Sequence, residues 1–239
     1  MFNHISLLVA LLIILFWGVT ISFTLMVDFT NLTFLAIIFL IFLQIFFNTG
    51  LFIVAHDGMH GILFPYNSNI NDAIAHLALI LYAGLSFKDL KEKHYLHHRF
   101  TGTSLDPDFH EHNPNFCFWY FRFMGKYISF FNLCRLALLI LIIVNIFQIH
   151  WLNLLLFWAF PLIFSSLQLF FFGTFLPHRH HQDNKFNLSC LGAIKSLHLP
   201  ILLSLIACYH FSYHQEHHRY PFLAWWQLPF AMEFSQSHF

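Results

Sequence analysis

The chain has 239 residues, of which 58% are hydrophobic and only 9% are formally charged. A soluble domain carries about 25% charged residues, so this composition excludes the soluble globular class and predicts an integral membrane protein. The formal net charge is zero, which gives no reason to expect a nucleic-acid partner. Histidine is the exception in this apolar chain, because its 19 residues outnumber the 11 lysines and arginines.

Four apolar segments are long enough to cross the roughly 30 Å hydrocarbon core of a bilayer. They are residues 5–27, 32–55, 132–149 and 152–176. The first has no basic amino-terminal region and no small-residue cleavage site, so we expect a retained helix and not a signal peptide. Pro161 is expected to kink the fourth span. Two shorter apolar segments, residues 73–87 and 200–209, predict interfacial or re-entrant helices that do not cross.

The lysines and arginines indicate how these spans are oriented. All 11 fall on one side of a four-span arrangement, and the two opposite loops, residues 28–31 and 150–153, contain none. Loops rich in basic residues face the cytoplasm. We therefore expect an all-α integral membrane protein, a single domain over residues 1–239, with both termini and the histidine-rich segments on the cytoplasmic side.

Histidines cluster at four places in the chain, each just after an apolar segment. The clusters are His56 and His60 in "AHDGMHG", His94, His97 and His98 in "HYLHH", His178 in "GTFLPHRHH", and His214, His217 and His218 in "YHQEHH". Spacings of three and four residues place imidazoles on one face of a helix. For the clusters to meet, an even number of spans must separate each from the next, and the four-span arrangement satisfies this condition.

These nine imidazoles exceed what one metal ion binds, since a zinc site takes three or four ligands. Two metal ions fit better, and imidazole suits iron, zinc, copper and nickel, so the ligand type alone leaves the metal open. Four acidic residues beside the clusters are candidates to hold the free N–H groups of the ligands: Asp57, Asp106, Asp108 and Glu216. The roles of His110, His180, His181 and His210 are left open.

The sequence around these histidines resembles the membrane-bound di-iron superfamily of desaturases, hydroxylases and ketolases. Four stretches are similar to the bacterial β-carotene ketolases in particular: "GLFIVAHDGMHG", "HHRFTGTSLDPDFH", "FFGTFLPHR" and "FSYHQEHHRYPFLAWWQLP". The resemblance covers residues 50–229. The chain departs from that family at Gly58, where alanine is usual, and at Ala224, where proline is usual; neither belongs to the histidine set.

The resemblance implies a membrane fold of four transmembrane helices, with short interfacial helices and a histidine-rich di-iron cap on the cytoplasmic side. It implies that the nine histidines hold two iron ions and that the protein uses O₂ to oxidise carbon 4 of a β-ionone ring. β-Carotene would become echinenone and then canthaxanthin, because two hydroxylations of one methylene give a geminal diol that loses water. Reduced ferredoxin and its reductase would supply the electrons, since the chain shows no redox module.

Two alternative functions stay open at this point. The nearer one is a different oxidation at the same di-iron site, by a carotenoid 3-hydroxylase or a fatty acyl desaturase. The farther one is a metal transporter or store, which the position of the histidines beyond the span ends disfavours. Trp225 and Trp226 are candidates to stack on the substrate ring, and an interfacial aromatic belt is the competing interpretation.

Overall fold

The computed structural model describes residues 4–110, 115–179 and 194–231, and all regular structure in these ranges is helical. The helices are α1 Ile5–Met26, α2 Phe34–Met59, α3 Ser68–Ala83, α4 Phe87–Phe100, α5 Phe116–Tyr127, α6 Phe130–Phe147, α7 Trp151–His178, α8 Ile201–Cys208 and α9 His214–Arg219. A short 3₁₀ helix, Trp225–Phe230, follows α9. The prediction of an all-helical protein is confirmed for this part of the chain.

Four of these helices, α1, α2, α6 and α7, are long and apolar enough to cross a membrane. They match the four predicted spans, and the largest difference is at the end of α2. The apolar span was predicted to end at residue 55, with His56 and His60 on the same helix beyond it, and the helix does continue to Met59, with His60 as its C-cap residue. The backbone leaves the helix only at Gly61, whose φ of 75° suits glycine. The extra turn carries His56 inside a rigid helix.

At the end of the bundle opposite α9, polar side chains cap α2 and connect the start of α7 to the end of α1. Thr33 caps the amino end of α2 by accepting a hydrogen bond from the backbone N–H of Ala36 at 3.3 Å. The side-chain amide of Asn153, near the start of α7, donates to the backbone oxygens of Thr24 at 3.0 Å and Val27 at 2.6 Å. These bonds hold the α6–α7 connection against the end of α1.

Helix α7 contains two π-helical turns, Leu155–Ala159 and Phe171–Phe175, each of which ends two residues before a proline. Pro161 and Pro177 have no backbone N–H, so the regular bond of the α-helix is lost at these points and a wider turn accommodates the ring. The prediction of a disturbance at Pro161 therefore takes the form of a π-helical turn, and Pro177 adds a second one just before His178.

The apolar segment at residues 73–87, predicted as an interfacial or re-entrant helix, covers most of α3 and the turn after it, and α3 meets α4 at an angle of 101°. Gly84 terminates α3 with a φ of 63°, a left-handed conformation that favours glycine. His94 on α4 returns to His60 at the end of α2, with 2.7 Å between the two Nε2 atoms. The pair thus begins and ends on the same side as the histidine clusters, which supports the prediction that it does not cross.

Helix α3 packs against α2 at a point where only glycine fits. A Cβ atom on Gly58 would lie 2.3 Å from the Cβ of Ala75 and 3.2 Å from Cδ1 of Leu63. We expect Gly58→Ala to destabilise the protein by about 1–3 kcal/mol, the usual cost of overpacking. The melting temperature in detergent measures this effect. The double variant Gly58→Ala/Ala75→Gly should recover most of the loss, and a double variant as unstable as the single one would contradict this account of the packing.

Candidate metal centre

The histidines of all four sequence clusters converge at one end of the bundle. They form two groups, and within each group one ring nitrogen from every member lies within 4.8 Å of the others. The first group is His56, His60, His94 and His217, and the second is His97, His178, His214 and His218. Each group draws on three helices, which brings together residues up to 161 positions apart in the first group (217 minus 56).

The spacing of the ring nitrogens matches that of ligands around a common ion. The Nε2 atoms of His218 and His97 are 3.0 Å apart, and those of His218 and His214 are 3.1 Å apart. In the first group, the Nε2 atoms of His60 and His94 are separated by 2.7 Å. Two nitrogens bound at about 2.0–2.1 Å from one ion, at a right angle or somewhat more, would be about 3 Å apart.

His98 lies between the two groups. Its Nε2 atom is 2.9 Å from Nε2 of His217 in the first group. Its ring stacks on His218 of the second group, with 4.1 Å between the ring centroids. The structure therefore brings all nine predicted histidines together.

Two of the boxes, those on α4 and α9, contribute histidines to both groups. On α4, His94 faces the first group and His97 the second, while on α9 the first group takes His217 and the second takes His214 and His218. Neighbouring residues on a helix point about 100° apart, so the adjacent His217 and His218 are presented to different groups. The four-residue separation of His214 and His218 places both on one face.

Asp106 holds one of these imidazoles in place. Its Oδ1 atom lies 2.9 Å from Nδ1 of His97, and its Oδ2 accepts from the backbone N–H of Gly102 at 2.9 Å. Both side chains are sealed from solvent, with 0% of Asp106 and 1% of His97 exposed. A carboxylate on Nδ1 directs the other nitrogen, Nε2, towards an ion, as is usual for metal-binding histidines.

The other three carboxylates occupy different positions. Asp57 accepts from the backbone N–H of Trp225 at 3.3 Å, and its nearest oxygen is 3.8 Å from Nδ1 of His56, too far for a hydrogen bond. Glu216 accepts a short hydrogen bond from the hydroxyl of Ser196. Asp108 accepts from the hydroxyl of Tyr127. Of the four predicted carboxylates, Asp106 is therefore the one within hydrogen-bonding distance of a clustered histidine.

Burial keeps most of these imidazoles neutral, which is the form that binds metals. Desolvation lowers the pKa of His60 to about 4 and that of His98 to about 2, with further lowering of the His98 pKa by neighbouring histidines. Burial also lowers the pKa of His218 well below its usual value. For His97, burial lowers the pKa, but the carboxylates of Asp108 and Asp106 outweigh this effect and raise the pKa to about 9.

His56 gives an independent test of whether the site fits metal ions. It is 3% exposed, and neither ring nitrogen has a hydrogen-bond partner in the described part of the chain. Buried polar atoms without a partner are rare and costly in native proteins. An ion in the first group would bind one of the two His56 ring nitrogens. The donor set therefore fits a pair of ions with imidazole ligands.

An apolar cavity leads to both groups. His56 and His94 of the first group and His97 and His214 of the second form part of its lining. Most of the remaining wall is apolar. It includes Leu85 from the turn after α3, Phe123 from α5, Leu133 and Leu136 from α6, and Ile163 and Leu169 from α7. A hydrophobic molecule in this cavity would lie directly against the histidines.

Comparison with known proteins agrees with this geometry. The sequence profile of the fatty acid desaturase family matches residues 31–142 and 129–236, which together cover most of the chain. The chain belongs to the fatty acid desaturase family. No solved structure matches it significantly.

Several curated relatives of this desaturase-family protein are carotenoid enzymes. A β-carotene ketolase of Paracoccus sp. (strain PC1) is 39% identical over 226 residues, which cover 91% of this chain and 88% of the relative. A β-carotene ketolase of Paracoccus sp. (strain N81106 / MBIC 01143) is 40% identical over 190 residues, 76% of this chain and 73% of the relative. β-Carotene 4-ketolase 3 of Haematococcus lacustris is 38% identical over 193 residues, and the chain spans only 60% of its length.

The remaining candidate residues have other surroundings in this desaturase-family fold. Trp225 and Trp226 do not appear among the described residues that line the cavity. The ring of Trp225 packs instead on Tyr209, with 4.9 Å between ring centroids, and on His210, with 5.9 Å. His210 is buried, and its Nδ1 lies 3.1 Å from the hydroxyl of Ser204, outside both groups. His180 and His181 lie outside the described residues.

Sequence reasoning missed the cavity wall contributed by α5, above all Tyr120 and Tyr127. The hydroxyl of Tyr120 is 2.6 Å from that of Ser166 on α7. Helix α5 is rich in aromatic residues, which is equally typical of a membrane interface, so the sequence held no signal for a cavity-lining role.

Proposed function

We propose that this protein is a carotenoid ketolase, which uses O₂ to introduce keto groups at carbon 4 of β-ionone rings. The observation that carries the proposal is the mostly apolar cavity whose lining includes histidines of both groups. The similarity to curated β-carotene ketolases at 37–40% identity supports carotenoids as the substrate class. The proposed main reaction converts β-carotene to echinenone and then to canthaxanthin.

In this proposal two iron ions occupy the two histidine groups. The first would be held by His56, His60, His94 and His217, and the second by His97, His178, His214 and His218. His98, placed between the groups, completes the ligand set of nine. Iron bound there would supply the activation of O₂ that oxidation of a C–H bond requires, since no protein side chain provides such an oxidant.

The protein's own residues position the substrate and exclude water. The cavity binds a β-ionone ring through apolar contact alone, because the ring of β-carotene carries no hydrogen-bonding group. Leu85 and Leu90, together with Phe211, line the cavity and exclude water around the histidines. Asp106 keeps His97 in the orientation required of a ligand.

The proposed ketolation balances as two hydroxylations and one dehydration. Each hydroxylation consumes one O₂, two electrons and two protons, inserts one oxygen atom into a C–H bond at carbon 4, and releases one water. The resulting geminal diol then loses water to give the ketone. In this proposal a reduced ferredoxin with its reductase supplies the four electrons that each ring requires. In the same proposal, the histidine end of the bundle faces the cytoplasm, where the basic loops lie.

Pigment analysis tests the proposed function directly. The chain is expressed in a bacterial host that makes β-carotene, and extracted pigments are separated by chromatography. We expect echinenone and canthaxanthin. Alcohols at carbon 3 would instead assign the protein to the 3-hydroxylases. Unchanged β-carotene, with membrane-inserted and iron-loaded protein present, would contradict the proposal and direct attention to fatty acyl chains as substrates.

A further inference from the structure

Asp108, in the cavity wall, does not form a hydrogen bond with a clustered histidine as Asp106 does. Among the described residues that line the cavity, Asp108 is the only one with a formal charge. The side chain of Asp108 is 13% exposed, whereas that of Asp106, two residues earlier, is 0% exposed. Asp106 is therefore enclosed behind His97, and Asp108 is open to the cavity.

The geometry around Asp108 fixes this carboxylate beside the histidines. Its backbone N–H donates to Asp106 at 2.8 Å, and its backbone oxygen accepts from the indole N–H of Trp119 at 2.8 Å. Its Oδ2 atom is 3.8 Å from Nδ1 of His97, too far for a hydrogen bond. The other oxygen, Oδ1, accepts from the hydroxyl of Tyr127, which also lines the cavity.

Asp108 and Tyr127 together can still accept one more hydrogen bond, from a ligand in the cavity. An ionised carboxylate has about four acceptor positions, and Tyr127 fills one of them. The phenol of Tyr127 uses its single proton on Asp108, so its oxygen acts only as an acceptor. The pair thus presents hydrogen-bond acceptors to a mostly apolar cavity, and a hydroxyl group on the ligand is a suitable donor for them.

We propose that Asp108 and Tyr127 form a hydroxyl-binding pair that retains the 4-hydroxylated carotenoid until it is oxidised a second time. The inference rests on the proposed two-step ketolation. β-Carotene has no donor and gains nothing from the pair, whereas the alcohol made from it can donate its O–H to Oδ2 of Asp108. The same carbon is then held beside the histidines, so the product is a ketone and not a released alcohol.

The test is the ratio of alcohol to ketone made by Asp108→Asn in a β-carotene-producing host. Asparagine keeps the shape and the backbone contacts but replaces a charged acceptor with a neutral one, and charge-assisted hydrogen bonds are about twice as strong as neutral ones. We expect the 4-hydroxylated product to rise by about tenfold relative to ketone. Tyr127→Phe should shift the ratio in the same direction, and Tyr66→Phe, at a 65% exposed tyrosine outside the cavity lining, should leave the ratio as in the wild type.

The outcomes separate this inference from the proposed function. Failure of the wild type to make ketones would reject the proposed function, whatever the variants do. A wild type that makes ketones, with Asp108→Asn giving fewer products at an unchanged ratio, would overturn the inference and assign Asp108 a structural role.

If Asp108→Asn makes no oxidised product, binding decides the question. Quenching of tryptophan fluorescence in purified, iron-loaded protein, without O₂ or reductant, measures the affinities for 4-hydroxy-β-carotene and for β-carotene. We expect the wild type to bind the alcohol about tenfold more tightly, and Asp108→Asn to lose that preference while it binds β-carotene as before. Equal affinities for the two carotenoids in the wild type would overturn the inference.

Discussion

Replacing one histidine from each group by alanine is expected to abolish ketone formation while leaving membrane insertion intact. His217→Ala removes a member of the first group and His97→Ala a member of the second. In the proposed enzyme each variant loses one of its two irons. Residues that only orient a ligand already change metal affinity or activity by about 10- to 100-fold, so loss of a ligand should reduce ketone formation by at least about a hundredfold.

The measurement combines pigment analysis with the iron content of each purified variant. His198→Ala is the matched control, because His198 lies close to α9 but its side chain is 64% exposed and outside both groups. This control should retain two irons and normal product. Full activity of His217→Ala or His97→Ala would remove that histidine from the proposed ligand set. Loss of both irons in a single variant would show that the two groups bind metal cooperatively.

The membrane spans could be predicted from the sequence because hydropathy alone determines them. A run of about 20 apolar residues has few stable alternatives to a membrane-crossing helix. Hydropathy is less informative about where a membrane-spanning helix ends, as α2 illustrates. The apolar run finishes at residue 55, but the helix continues through His56 and Asp57, because these polar residues are buried against other parts of the protein. Hydropathy gives no signal for that burial.

The histidine set could also be predicted, but its division into two groups could not. Spacings of three and four residues place imidazoles on one helical face, which indicates that they act together. Whether His97 joins His94 or His178 depends on how α4 sits against α7 and α9, and this is set by packing between distant residues. The bend of 101° between α3 and α4 likewise has no signal in the apolar segment at residues 73–87.

The carboxylates show where proximity in sequence misleads. Glu216 precedes His217 directly, but neighbouring positions on a helix diverge by about 100°, and its side chain contacts Ser196. Asp106 is nine residues from His97, and the turn after α4 brings it back to that imidazole. Asp108, two residues later, faces the cavity instead. The geometry of the turn after α4, which one sequence does not reveal, separates the outcomes for Asp106 and Asp108.

Exchanging Asp106 for asparagine should weaken iron binding in the second group by about 10- to 100-fold, the usual effect of losing a carboxylate behind a metal-binding histidine. The Asp106 carboxylate faces Nδ1 of His97 and accepts from two backbone N–H groups, those of Gly102 and Asp108. An asparagine has one acceptor oxygen for these three partners and directs an NH₂ group at another donor. The imidazole of His97 would then lose the partner that fixes its orientation.

Retention of iron during a chelator titration measures this effect, and Glu216→Gln is the matched control because Glu216 contacts Ser196 instead of a clustered histidine. Asp106→Asn should release about one iron per chain at chelator concentrations that leave the wild type and Glu216→Gln fully loaded. Ketone formation should fall in parallel with that iron, since Asp106 lies outside the cavity wall and acts only through His97. If Glu216→Gln lost iron and Asp106→Asn did not, proximity in sequence would be the better guide, and the orienting role would belong to Glu216.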